Sequence, residues 1–548
     1  MSTPQSAPAS NSKGPVPLDW MPGLMQNAKF DLVSGFIIFL IALPLCLGIS
    51  IASGAPPIAG VLTAIVGGIL GAVLSGSHLT INGPAAGMIV VVFGVFMSLA
   101  DVPGDPTTGY KYALAVGVVC GLIQIVLGLV GAGAMTNMFN LSVVHGMLAG
   151  IGLIVLGKQV HVALGSSAAK LTMVQTYAQI PTALGKMMSD PMLQKVALIG
   201  FLAIFIMAIW PMMGKIAPIL GKIAKLLPAP LVIMLITVPL AASFGLDKKY
   251  LVNVPLNFMD SFVLPDWSKI GMGIFWKGVF IYVFVASLES LLTASAVDKL
   301  DPWKRQSNMN RELVGKGAAN ALVSFIGGLP MIAEVVRSSA NIMNGARTRW
   351  SNIFHGVFLL LAVAMIPVVL NMIPLAALAG MLVVIGFRLA HPKEFAHVAH
   401  IGKEELFFMV ATTLGVVFVD LLWGVIGGMV LAMVVNLMRG VPIANLFSAK
   451  TTIETRGETI VVGMQGAHGF NNYLGVRKKL EKLPLGKTVT IDFAKATFID
   501  HTVRDRLNDF KNEYAAKSGG KGGVTIQNTA HLQASSHHEF SALVSAKA

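Results

Sequence analysis

The chain has 548 residues, 55% of them hydrophobic and only 12% charged, with a net charge of +14 at pH 7 and a mean hydropathy of +0.73. A soluble domain carries about 25% charged residues, so this composition excludes an ordinary water-soluble enzyme or binding module. The basic excess lies mostly between apolar runs, which orients membrane proteins, and no aromatic-basic pattern marks a nucleic-acid surface, so no nucleic-acid partner is expected.

Residues 1–30 read as a polar, Pro/Ser-rich cytoplasmic tail, disordered at its start. They lack the basic stretch, short apolar run and small-residue cleavage site of a signal peptide. A polytopic transmembrane region over 31–441 follows, with about fourteen apolar segments. Their approximate spans are 31–53, 57–75, 84–99, 111–131, 138–157, 193–212, 228–245, 271–297, 312–328, 331–344, 351–371, 374–390, 405–421 and 423–441. Cys46 and Cys120 both sit inside apolar runs and read as packing residues rather than a disulfide. The stretch 162–190 is polar enough for a long outer loop with an amphipathic helix.

Two segments are too short or interrupted for an ordinary span of about 20 residues. One begins after Asn82-Gly83-Pro84, the other after Gly327-Gly328-Leu329-Pro330, with a short helix starting near Met331. Each is the third of a set of seven, counting from the first and the eighth segment. An odd number per half inverts one half relative to the other, and paired breaks at matching places point to a transport site at the midplane. The plainer alternative is that Gly and Pro merely kink packed helices.

The second broken helix carries Glu334 and Arg337, three apart and on neighbouring positions of one face. Intramembrane charges are costly and usually functional. Helix N-termini attract anions through their unpaired N–H groups. The candidate anion donors are the backbone amides of Ala85, Ala86 and Gly87 after Pro84, and of Ala333, Glu334 and Val335. Arg337 reads either as an anion-attracting or acid-pairing charge of this site or as a structural partner for loop carbonyls. Glu289 and Thr293, four apart, face the same way. Two acids near one arginine suit proton carriage.

Asp298, Lys299 and Asp301 read as loop charges rather than ligands, and His78, His145, His161 and His355 lack metal-ligand spacing. No metal site, cofactor, nucleotide fingerprint or catalytic triad is found, so the chain is not read as an enzyme. Lys215, Lys222, Lys225, Lys299, Lys304, Arg305, Arg311, Arg347, Arg349, Arg388, Lys393 and Lys403 crowd one side. The other has a few lysines, mainly Lys158, Lys170, Lys186, Lys248 and Lys249. The first side, with both termini, is expected in the cytoplasm.

After Arg439 the character changes. Residues 451–548 alternate strand-like and helix-like stretches: strands near Thr459, Lys487 and Gly523, helices over Asn471–Leu483 and Thr502–Tyr514. The last 20 or so residues look poorly ordered. Thr502 suits an N-cap with Asp505 three residues on. The alternative is a phosphorylated hydroxyl.

These residues carry a resemblance. Asp31-Leu-Val-Ser-Gly with Ala42-Leu-Pro-Leu-Cys-Leu-Gly, Ser75-Gly-Ser-His-Leu-Thr-Ile-Asn-Gly-Pro-Ala-Ala, Arg337 followed by Gly345-Ala-Arg-Thr, and Pro374-Leu-Ala-Ala-Leu-Ala-Gly resemble the SulP anion permeases in order along the chain. Val489-Thr-Ile-Asp-Phe and Phe498-Ile-Asp-His-Thr resemble the STAS domain that follows them. The resemblance implies an all-α membrane fold of about seven plus seven segments in inverted repeats, sorted into core and gate, then a cytoplasmic α/β STAS domain. It implies elevator-like movement, a homodimer in the cell inner membrane, and a small inorganic anion between half-helices three and ten, near Leu45 and Cys46. A bicarbonate-transporting member holds sodium with an acid and a threonine at the places of Glu289 and Thr293. Here the acid is Glu, Val335 replaces a hydroxyl residue and Glu334 is added, so the coupling ion reads as H+ ahead of Na+. Bicarbonate and sulfate are the candidate substrates. A dicarboxylate transporter and an anion channel or exchanger of the same family are alternatives, and a regulatory partner at the STAS domain stays open.

Overall fold

The structure, a computed structural model, describes residues 15–168, 171–216, 221, 224, 227–518 and 522–545. The start of the N-terminal tail and Lys170, Lys222 and Lys225 lie outside the described residues.

Every apolar segment read from the sequence holds a helix. In chain order these are α1 (Trp20–Ala52), α2 (Pro57–Leu74), α3 (Ala86–Leu99), α4 (Tyr110–Leu129) and α5 (Leu141–Ala163). Short α6 (Met173–Ala178) and α7 (Ile180–Ser189) fill the expected polar loop, then come α8 (Pro191–Ile209) and α9 (Ala229–Phe244). The second half has α10 (Gly273–Leu300), α11 (Met309–Phe325), α12 (Val335–Met343), α13 (Trp350–Met365), α14 (Leu375–Leu389), α15 (Pro392–Ile401), α16 (Lys403–Phe418) and α17 (Leu421–Met438).

Packing sorts these helices into two groups. One joins α1, α2, α4, α10, α11 and α13; the other joins α5, α8, α9, α14, α16 and α17. Glycines make the closest approaches: Gly121 of α4 lies against the α11 backbone, and Gly152 of α5 against that of Gly386 in α14. Small residues let apolar helices touch along their backbones where no hydrophobic force separates them from lipid.

The first helix starts at Trp20, well before Asp31. Asp19, just ahead of it, bonds Arg349 at 3.2 Å and His78 at 3.3 Å, and the Trp350 indole donates to the Trp20 carbonyl at 2.9 Å. These partners anchor a stretch that sequence alone assigned to the tail. Inside α1, buried Asp31 accepts from the amides of Arg347 (2.8 Å) and Thr348 (3.1 Å). Two of the family-like motifs therefore meet each other.

Beyond α17 lies an α/β unit. Its strands are β3 (Lys450–Arg456), β4 (Thr459–His468), β5 (Thr488–Ile499), β6 (Val524–Gln527), β7 (Leu532–Ala534) and β8 (Leu543–Ser545). Helices α18 (Tyr473–Leu480) and α19 (His501–Lys517) complete it. The sheet runs β3-β4-β5-β8-β7 with β6 also on β5; β4–β5 and β5–β6 are parallel, the rest antiparallel. Val462, Ile491, Tyr473, Val503 and Leu507 are fully buried in its core. Poor order is the expectation for the last 20 or so residues, and their described part carries strands. There β7 and β8 pair with each other and with β5, and Ser536 Oγ donates to the Ile401 carbonyl at 2.7 Å.

Candidate functional site

The two breaks meet. A two-residue strand β1 (Asn82–Gly83) pairs antiparallel with β2 (Ile332–Ala333), Asn82 opposite Ala333 and Gly83 opposite Ile332. Because the pairing is antiparallel, the chain leaves it in opposite directions into α3 and α12. The N-terminal ends of both helices thus lie at the ladder. Ala85 is extended (φ −125°, ψ 150°), and Ala86–Met88 form a tight first turn before α3 proper. On the other side Gly327 takes φ +101°, a left-handed conformation that favours glycine, and its carbonyl accepts the Tyr110 hydroxyl.

The second half-helix differs from expectation. Residues 332–333 are strand, and α12 starts at Val335 with extended Glu334 (φ −104°, ψ 119°) at its N-cap. The ladder draws this stretch out of the helix. It also commits two candidate donors: the Glu334 amide bonds the Ile81 carbonyl at 2.9 Å, and the Ala333 amide bonds Ser290 Oγ at 3.4 Å. The remaining candidates are Val335, extended Ala85, and Ala86 and Gly87 in the first turn of α3, where helix amides have no partner within their own helix.

Arg337 is fully buried and joins three pieces of chain. Its Nε lies 2.9 Å from Glu334 Oε2, Nη1 reaches Cys46 Sγ at 3.5 Å, and Nη2 donates to the Pro84 carbonyl. Arg337 thus pairs an acid and also satisfies the carbonyl at the break. Cys46 and its neighbour Leu45 are buried in α1 beside it; Cys46 and Cys120 are free thiols. The buried Glu289 carboxylate packs directly on Gly87, where any Cβ would overlap both carboxylate oxygens. Its Oε1 has no hydrogen-bond partner among the described residues. Thr293 is buried one turn further along α10.

Sequence reading missed the residues that hold the breaks in place. Lys316 and Asn320 lie one turn apart on α11. Lys316 Nζ donates to Asn82 Oδ1 at 2.6 Å and pairs with Glu312 at 2.6 Å, both charges fully buried. Asn320 accepts from the Met331 amide at 2.7 Å and donates to its carbonyl at 3.3 Å and to Gln124 at 2.8 Å. One helix thereby braces one break through Asn82 and the other through Met331. Thr63 of α2 adds a bond each way with Leu329, 2.7 and 3.0 Å. The available signal was three polar residues four apart, Glu312, Lys316 and Asn320, inside an apolar segment.

The remaining candidates lie elsewhere. His78 contacts Asp19, His145 lies 3.9 Å from Glu394, and His161 and His355 are buried among the helices. Asp298 and Asp301 are not open loop charges: both are buried at the end of α10, where Asp298 accepts from Ser307 (2.6 and 2.8 Å) and Asp301 pairs with Arg305 (2.7 Å). Lys299 reaches Asp509 of the α/β unit at 2.7 Å. Thr502 is not the cap of α19. Asp500 is, accepting the Val503 amide at 2.7 Å, while buried Thr502 accepts the Leu141 amide of α5 at 3.3 Å. Burial drives the Asp500 carboxyl up to about 7, with Glu405 adding to the shift.

The comparisons with known proteins concern the family and the fold. The family model described as the sulfate permease family matches residues 29–412. A putative sulfate transporter, YvdB, of Bacillus subtilis is 25% identical over 508 residues, 90% of this chain and 91% of its own length. The bicarbonate transporter BicA of Picosynechococcus is 26% identical over 425 residues, 78% of this chain and 72% of its own. The solved transmembrane domain of a cyanobacterial BicA superposes with a TM-score of 0.62 at 24% identity, covering 74% of this chain and 97% of that one. SLC26A9 superposes at 0.66 and 15% identity over 92% of this chain and 84% of its own. Those likenesses establish the fold, and the match over most of the membrane region establishes the family: the chain belongs to the sulfate permease (SulP) family of membrane anion transporters and is not an enzyme.

Proposed function

We propose that this protein is a secondary active transporter of a small inorganic anion, sulfate or bicarbonate, in the cytoplasmic membrane. The single observation that carries the reading is the β1–β2 ladder, which sets the N-terminal ends of two half-helices at one point with Arg337 clamped beside them. Partial helix charges attract an anion without the trapping strength of an exposed ion pair. A transported ion must also leave, and Glu334 neutralises Arg337 in a way that favours release.

The two packed helix groups suit an elevator in which the group bearing the ladder slides against the other, within a homodimer whose termini face the cytoplasm. We read the C-terminal α/β unit, with its six-stranded sheet, as a STAS domain and a place for a regulatory partner. Coupling rests on Glu289. Arg337 is taken by Glu334, so Glu289 is a buried carboxylate of this site with no cation paired to it among the described residues. Such a group needs a proton or a bound cation to neutralise it. The proton is the favoured partner, with sodium at Glu289 and Thr293 the alternative. Uptake of labelled sulfate and bicarbonate into proteoliposomes tests this, first in sodium-free buffer, then with the pH gradient collapsed. Loss on collapse identifies the proton, loss without sodium identifies sodium, and indifference to both refutes coupling.

A further inference from the structure

A cavity of about 380 Å³ lies between the two helix groups, away from the ladder. One wall is α3, which presents Val90, Val91 and Gly94 one to two turns beyond Ala86 and Gly87. Another part of the lining is α5, which presents Lys158. The ionisable side chains lining the cavity are Lys158, Lys277 and Asp420. Lys277 and Asp420 neutralise each other at 3.0 Å. The Lys158 ammonium sits 3.7 Å from the centre of the Phe93 ring and has no carboxylate partner among the described residues. Among the described residues the cavity therefore holds one uncompensated positive charge, that of Lys158, where the two helix groups meet.

We infer that this cavity is an entry subsite for the transported anion, held by Lys158 before it reaches the half-helix ends. The inference rests on the transport reading above and on the orientation that places this side outside. A lysine suits the task because its flexible stem delivers a point charge. The Phe93 face supports that ammonium when no anion is present. Walls of low polarity focus its field and raise the local anion concentration. The small residue at Gly94, with open space around the position of a Cβ, leaves the path along α3 unobstructed.

The test is uptake of sulfate and bicarbonate by the full chain in proteoliposomes, wild type against Lys158→Cys, with and without membrane-impermeant thiol reagents. The native Cys46 and Cys120 are buried, which limits background labelling. Lys158→Cys is expected to raise the KM about tenfold with a smaller effect on kcat, more at low ionic strength than at high. An aminoethyl reagent, which restores a cation, lowers the KM again; a sulfonatoethyl reagent raises it further. Lys158→Arg keeps the low KM, and Lys248→Gln, an exposed cation outside the cavity, leaves it unchanged. A wild type that transports while Lys158→Cys keeps its KM overturns the subsite alone. A wild type that moves neither anion overturns the transport reading and the subsite with it.

Discussion

The Arg337 guanidinium lies 2.9 Å from the Glu334 carboxylate, three residues back across the start of the same half-helix. Both groups stand where the chain crosses from strand to helix, and the arginine reaches over to the Pro84 carbonyl of the other break. The site thus has a fixed positive charge whose strength is set by its own neighbour.

Removing that neighbour strengthens the charge. Glu334→Gln keeps an oxygen facing Arg337 but deletes the counter-charge. The expected result is an anion KM lowered about tenfold with a lower kcat, because release slows as binding tightens. Uptake kinetics in proteoliposomes check it. A raised KM with unchanged kcat contradicts the role given to Glu334.

The brace on α11 makes a prediction about stability. Lys316→Met strands the buried Glu312 carboxylate and frees Asn82. Breaking a buried pair from one side costs about 3–5 kcal/mol. Thermal unfolding in detergent is expected to show that loss, with part of it recovered in Lys316→Met/Glu312→Gln. A single variant as stable as the wild type shows that the pair is not a brace.

The junction with the C-terminal unit is expected to be sensitive to pH. The Asp500 carboxyl is pushed by burial from 3.8 to about 7, so the native state holds a proton that the unfolded chain has lost. Its stabilising contribution is complete below about pH 4 and is lost as pH rises through about 7. The α/β unit should therefore melt lower at pH 8 than at pH 5. Asp500→Asn lowers the melting temperature at both values, because the amide replaces one acceptor of the Phe470 and Val503 bonds, but flattens the difference. Equal pH sensitivity in the variant assigns the effect to other groups.

Much of this arrangement was legible in the residues. Gly327, Pro330 and Pro84 punctuate apolar runs, and no tertiary information is needed to see a helix break there. The three-residue spacing puts Glu334 and Arg337 on neighbouring positions of one face, and of the roles open to Arg337 the acid contact is present. The ladder was not legible. Two residues from each break, 250 positions apart, pair only once the whole repeat has packed, and that pairing moved the helix start from Met331 to Val335. Lys316 and Asn320 were hidden for a related reason: α11 looked like an ordinary span, and its polar face has meaning only against Asn82 and Met331. At the other end, the residues suggest Thr502 as the cap and give Asp500 no role. Burial against α5 gave the hydroxyl another task and left the carboxylate to close the helix.

The central claim is that the anion sits where the two half-helices and Arg337 converge. It is tested most directly by uptake of labelled sulfate and bicarbonate into proteoliposomes carrying wild type or Arg337→Ala, with folding of the variant verified by its thermal unfolding. The account predicts saturable uptake of one of the two anions by the wild type and its loss in a folded Arg337→Ala. A folded Arg337→Ala that transports with the wild-type KM and kcat contradicts it.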